Sequence, residues 1–125
     1  MKHVLGVFVL MATASPILAQ PNRFCQHETT QYALNDCARR AMEATDGELN
    51  RVYQDLTGIT TGDREERIRT AQRAWVAFRD AHCDVASSDY EGGSMRPMVY
   101  GLCMAEVTVQ RTIQLRSYYD ELRER

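Results

Sequence analysis

Apolar residues recur at helical spacing through residues 28–57, and this pattern predicts a first long helix. Gly47 lies inside the pattern and lowers the helix propensity locally. Gly58 is a typical helix stop, so residues 58–62 are expected to form a short loop. The predicted buried face of this helix comprises Leu34, Ala38, Ala41, Leu49, Val52 and Leu56, with Thr45 as a small polar member.

The same periodicity predicts two further helices. Asp63 followed by Glu66 has the spacing of a capping box, so the second helix is expected to begin there and to end near Ser87. Pro97 suits the first turn of a third helix, because its missing N–H would have no partner in that turn. The predicted buried faces are Ile68, Ala71, Trp75, Phe78, His82 and Val85 for the second helix, and Met98, Leu102, Ala105, Val109, Ile113 and Leu122 for the third.

The connections between these helices are short, at residues 58–62 and 88–96. Short loops join helices that are antiparallel neighbours. No segment alternates between apolar and polar residues as a half-buried strand would. The sequence therefore predicts an all-α fold, a small antiparallel three-helix assembly.

The N-terminal residues have the pattern of an export signal. Lys2 and His3 precede an apolar run, residues 4–12, that is too short to span a bilayer. Small residues follow, and cleavage is expected after Ala19. We expect a signal peptide at 1–19 and one helical domain at 20–125, located in the periplasm or secreted, with no membrane span in the mature chain.

The charge balance argues against a nucleic-acid partner. The formal net charge of the 125 residues is -2, and Lys2 is the only lysine. The predicted mature chain has 14 arginines and 17 acidic residues, a net charge of −3. Phosphate binding requires a basic face, which this composition does not supply. A nucleic-acid partner is therefore not expected.

Four cysteines, Cys25, Cys37, Cys83 and Cys103, follow the predicted cleavage site. An even count in a small exported chain indicates two disulfides. A zinc site is disfavoured because the chain has no C-x-x-C pair. Three pairings are possible, and we favour Cys83–Cys103 with Cys25–Cys37, since Cys83 and Cys103 are level on adjacent predicted helices. All four cysteines fall toward one end of the assembly.

Several motifs appear in a characteristic order along the chain. They are Cys37, Asp46, Glu48-Leu49-Asn50, Tyr53, Ala71-Gln72-Arg73-Ala74-Trp75, Phe78-Arg79-Asp80-Ala81, Cys83, Gly92-Gly93-Ser94, Cys103, Thr108 and Arg111. The set resembles the LprI-type lysozyme-inhibitor family of small exported bacterial envelope proteins, from about Cys25 to Leu122. The resemblance implies a helical, disulfide-bearing exported domain, and for the family's named member it implies inhibition of lysozyme. The cleavage site lacks a lipid-attachment cysteine, so a lipid anchor is not expected.

Five polar residues lie beside the apolar faces and have two interpretations. They form either a ligand site or a structural network in which Asp46 pairs with Arg79 or Arg111. We favour the network, because the arginine fork suits a bidentate carboxylate contact. The residues are Asp46, Asn50, Gln72, Arg79 and Arg111.

The second predicted loop is the candidate partner-binding segment. It is acidic, and its glycines permit backbone shapes denied to other residues and close approach by a partner. Typical lysozymes are basic, so an acidic loop could attract one. The alternative is a tight connection whose acids are merely solvated. The candidate residues are Asp89, Tyr90, Glu91, Gly92, Gly93 and Ser94.

Catalysis is not expected. The chain has no H-E-x-x-H, P-loop or nucleophile elbow, and Ser94 has no evident histidine partner. No cofactor or metal ion is expected. The sequence thus favours an exported binding protein that inhibits lysozyme by occluding its cleft. The alternative is a structural or adaptor protein of the cell envelope with another protein partner.

Overall fold

A computed structural model describes residues 24–125 as three long helices. These are α1 (Gln31–Gly58), α2 (Gly62–Ser87) and α3 (Arg96–Arg123), with a 3₁₀ turn at Ser88–Tyr90. The described residues contain no strand. The predicted all-α, three-helix fold is confirmed. The predicted signal peptide, residues 1–19, lies outside the described residues, and among residues 24–125 no helix is long and apolar enough to cross a membrane.

The helix ends differ from the predicted ones in two places. α1 begins at Gln31, because Thr30 is its N-cap and accepts a hydrogen bond from the Ala33 N–H at 3.2 Å. The predicted capping box of α2 is wrong, since the helix begins at Gly62 with Thr61 as N-cap and no side-chain cap. Asp63 instead lies in the first turn, where its charge favours the helix dipole.

α3 is the central helix of the assembly. It runs parallel to α1 and packs along it extensively, whereas α2 runs antiparallel and contacts α3 more sparsely. α1 and α3 approach each other closely at Gly101, where an added Cβ would lie 3.1 Å from the Ala38 Cβ. Gly101 therefore permits a helix separation that no larger residue would allow.

The apolar core lies at the end of the assembly away from the cysteines. Its buried members come from the second half of α1 and from α3. At the other end the buried residues of these helices include the small Ala38, Gly101 and Ala105, together with Met104. The core comprises Leu49, Val52, Leu56 and Leu115, with Tyr53, Ile68, Trp75, Tyr119 and Leu122 packed against them.

The predicted buried face of α2 is wrong for most of its residues. Ile68 and Trp75 pack against the core, but Phe78 and Val85 are 58% and 72% exposed, and Ala71 and His82 are also exposed. The face toward α3 instead carries Gln72, Arg79, Cys83 and Ser87. The Cys83–Cys103 bond and the Arg79 contacts fix this rotation of α2.

The predicted buried face of α3 is incomplete. Because α3 contacts both other helices, its buried positions cover a wider arc than one apolar stripe. Ile113, predicted to be buried, is 58% exposed and lines a shallow groove between α1 and α3 with Ala44 and Val109. The buried positions are Gly101, Met104, Ala105, Thr108, Arg111, Thr112 and Leu115.

An exposed ion pair links α1 to α3 and gives the fold a pH dependence. Glu48 accepts from Arg51 and from Arg116 at 2.7 Å each. The hydrogen bond from Arg51, followed by the charge of the two arginines, holds the pKa of Glu48 below its usual 4.5. A lowered folded-state pKa contributes stability above the unfolded pKa, and this contribution is lost as the pH falls through the folded value.

We expect Glu48→Gln to lower the melting temperature relative to the unsubstituted chain near neutral pH. The difference should shrink as the pH falls below the usual glutamate value of 4.5 and through the lowered folded-state pKa of Glu48, because the carboxylate then protonates. Melting curves of both chains across this range provide the measurement. A difference that stays constant with pH would show that the charge of Glu48 contributes nothing.

Candidate functional site at the cystine end

Two disulfides brace one end of the helical assembly. Cys25 bonds Cys37 with a Cα–Cα distance of 6.0 Å, and Cys83 bonds Cys103 with 5.6 Å. The favoured pairing is confirmed, and the described residues contain no free cysteine. The first bond holds the segment before α1 against that helix, and the second ties the end of α2 to the start of α3. The connection between α2 and α3 is therefore anchored at its base.

Backbone hydrogen bonds order the connection between α2 and α3. The Gly93 N–H donates to the Tyr90 carbonyl at 2.9 Å, in a turn where Gly92 has a φ of 74°. The positive φ at Gly92 is accessible to glycine at little cost. The Asn35 side-chain amide donates to the Ser94 carbonyl at 3.0 Å, which attaches the connection to α1. We call residues 89–95 the cystine-end loop.

The cystine-end loop and its base carry more acid than base. Arg96 forms ion pairs with Asp84 and with Glu91, both at 2.8 Å. Within residues 24–125, Asp89 forms no ion pair. Two carboxylates therefore share one guanidinium and the third has no ion-pair partner among the described residues, so the loop and its base present a net negative surface.

Two exposed side chains add apolar area to the same loop. Tyr90 and Met95 are 39% and 40% exposed. An aromatic and a thioether side chain beside the unpaired carboxylate of Asp89 form a surface suited to binding a protein. Sequence reasoning missed Met95 and Asn35. Asn35 could have been found from its place on the first helix, level with the start of the third.

Four of the five predicted network residues divide between two separate clusters. Arg79, 11% exposed at its side chain, donates to Asp46 at 3.0 Å and to Thr108 at 3.4 Å, and its guanidinium lies 5.0 Å from the Trp75 ring centroid. Asp46 thus pairs with Arg79, one of the two partners that the sequence offered. This contact joins α1, α2 and α3 at mid-length.

The second cluster consists of Arg111 and the side-chain amides of two glutamines. Its Nε donates to Gln72 and its Nη1 to Gln114, both at 3.0 Å. Burial lowers the pKa of the Arg111 guanidinium, which stays charged because arginine does not deprotonate in proteins. Asn50 is exposed and joins neither cluster within the described residues. Among residues 24–125 no group of ligating side chains could hold a metal ion.

We expect Asp46→Ala to lower the free energy of unfolding by about 1 kcal/mol, because it removes one charged hydrogen bond of Arg79. The loss is moderate, since Asp46 is 47% exposed and Arg79 keeps Asp80 as a partner at 3.0 Å. Urea unfolding of the two chains gives the measurement. Unchanged stability with lost partner binding would instead place Asp46 in a binding site.

Comparison with known proteins agrees with this arrangement. The family described as "Lysozyme inhibitor LprI" matches residues 25–115. An uncharacterized protein, R02472, of Rhizobium meliloti is 36% identical over 121 residues, which cover 86% of this chain and 87% of that protein. The uncharacterized protein YecT of Escherichia coli is 26% identical over 106 residues, 73% of this chain and 65% of YecT. No solved structure matches. With most of its helical domain matched and all four cysteines inside the match, the chain belongs to the LprI lysozyme inhibitor family.

Proposed function

We propose that this protein is an exported binding protein that inhibits lysozyme by placing the cystine-end loop against the enzyme's substrate cleft. The observation that carries the proposal is the loop itself, acidic and anchored by the Cys83–Cys103 bond, in a chain of the LprI family. The protein acts by contact and performs no turnover.

Charge supports the first step of such an encounter. Asp84 and Glu91 are 70% and 75% exposed and share Arg96, while Asp89 is exposed and outside that pair. An acidic surface accelerates the approach of a basic protein and orients it. The cystine-end loop therefore meets the enzyme first.

The order of the loop supports the second step. The turn at Gly92 and the Asn35 hydrogen bond hold the loop in shape before any partner arrives. Binding then loses little conformational entropy, which favours affinity. Exposed Tyr90 supplies a rigid ring that a cleft could bury.

The compartment is part of the proposal. Both disulfides need an oxidising environment, and such an environment is found outside the cytoplasm. We propose that residues 1–19 are a signal peptide and that the mature domain, residues 20–125, works in the periplasm or is secreted. That location is where a bacterial cell meets a foreign lysozyme.

We expect Asp89→Asn to slow association with a basic lysozyme by roughly threefold at low salt, because the substitution removes an unpaired charge from the docking surface. The effect should fade as salt screens the charge. Asp120→Asn is the matched control, since it removes the same charge from the opposite end of the molecule. Stopped-flow mixing measures both rates. Equal rates for the two variants would remove the steering role of Asp89.

A further inference from the structure

α2 carries a second apolar face that the fold leaves exposed. Its members follow the alternating three- and four-residue spacing of a coiled-coil seam. Phe78 at its centre is 58% exposed and Val85 is 72% exposed. His82 stacks on the Phe78 ring with a centroid distance of 5.4 Å, which extends the face. The full set is Ala71, Ala74, Phe78, Ala81 and Val85, and all five are exposed.

This face is distinct from the one that α2 uses inside the molecule. Arg79 and Cys83 point toward α3 and fix the rotation of the helix. At 3.6 residues per turn, the seam centred on Phe78 lies about 120° around the helix axis from them. Contiguous exposed apolar surface of this kind marks an interaction site. The spacing of these apolar residues is typical of a buried helix face, yet the face is exposed in the single chain. It therefore indicates a partner helix.

Charges at the two ends of the seam indicate what that partner is. Arg67 precedes Phe78 by eleven residues, and Asp89 follows it by eleven. Both side chains are exposed, and neither forms an ion pair within the part of the chain that the structure describes. Asp89 lies in the 3₁₀ turn that directly follows α2, so a second copy packed antiparallel along α2 would bring each arginine near the opposing aspartate. The seam is therefore complementary to itself.

We propose that this face joins two copies of the chain around a two-fold axis at Phe78. Side-chain size fits the arrangement, because Ala71 and Ala74 of one copy face Val85 and His82 of the other. The same patch then serves both copies, as two-fold symmetry requires. The cystine-end loops lie at opposite ends of the helix pair, and Asp89 at the start of each loop pairs with Arg67 in the dimer and is unpaired only in the single chain.

Sedimentation equilibrium of the purified oxidised chain tests the proposal. The concentrations run from about 1 µM to about 1 mM, so that both a tight and a weak dimer would be detected. The chain should associate to a dimer within this range. Phe78→Ser should weaken the dimer at least tenfold. Ile113→Ser is the matched control, because Ile113 is also 58% exposed but lies on α3 away from the seam, and it should leave the dimer intact.

A charge exchange tests the antiparallel register. Arg67→Glu and Asp89→Arg should each weaken the dimer, and the doubly substituted chain should recover it. Circular dichroism checks that every variant stays helical. A chain that is monomeric throughout the range, a dimer equally sensitive to Ile113→Ser, or a double variant that fails to recover would overturn the proposal. The test is independent of lysozyme, so its failure leaves the proposed function standing.

Discussion

Replacing Cys83 and Cys103 together by alanine should lower the free energy of unfolding by about 3 kcal/mol, because the bond closes a chain segment with a sequence separation of 20. The total stability of a small domain is only about 5–15 kcal/mol, so this loss is large. The effect is concentrated at the cystine end. Leu49, Val52, Leu56 and Leu115 form the apolar core at the other end and cannot compensate there. Urea unfolding under non-reducing conditions measures the change.

The same replacement should also weaken lysozyme inhibition. Without the bond, the end of α2 is free to separate from α3, and the cystine-end loop loses its anchor. Replacing Cys25 and Cys37 by alanine is the matched control, since it opens a segment of comparable separation, 12 residues, but leaves the base of the loop intact. It should lower stability similarly and inhibition less. Equal inhibition by all three chains would show that the loop does not need its anchor.

The second large effect is expected at the contact of α1 with α3. Gly101→Leu should lower the free energy of unfolding by about 3 kcal/mol, because overpacking a tight contact forces the backbones apart. An added Cβ would lie 3.1 Å from both the Cβ and the carbonyl oxygen of Ala38, and the carbonyl cannot rotate away within a helix. Thermal or urea unfolding measures the loss.

Gly47→Ala is the control for this substitution. Gly47 lies mid-helix in α1, is exposed, and has nothing within 4 Å of an added Cβ. Here the change should raise stability by about 1 kcal/mol through helix propensity alone. If Gly101→Leu unfolds at the same urea concentration as the unsubstituted chain, the close approach at Ala38 contributes nothing to the fold.

Much of the architecture could be predicted from the sequence. Helical periodicity and short loops fix the number of helices and their antiparallel order, and that order places Cys83 level with Cys103. The same helical periodicity predicted the wrong rotation of α2 about its axis. α2 has two candidate buried faces, and the number of apolar residues favours the face with Phe78 and Val85. The structure buries Arg79 and Cys83 instead, since a disulfide and a guanidinium network determine the rotation.

The polar contacts were harder to predict for a different reason. The sequence offered Asp46 two arginines, and only the relative positions of three helices decide between them. Arg111 lies within reach of Gln72, and Arg79 within reach of Asp46. In the cystine-end loop the acidic character was evident, but the sharing of Arg96 between Asp84 and Glu91 depends on how the chain folds back after Gly92. That sharing singles out Asp89 as the unpaired acid.

The most direct test is a turbidity assay of bacterial cell-wall lysis with increasing amounts of the purified oxidised chain. Lysis by a basic lysozyme should slow in proportion to the chain added, and Asp89→Asn should weaken this inhibition. A molar excess that leaves lysis by several lysozyme types unchanged would contradict the proposed inhibition and favour an envelope adaptor with another protein partner.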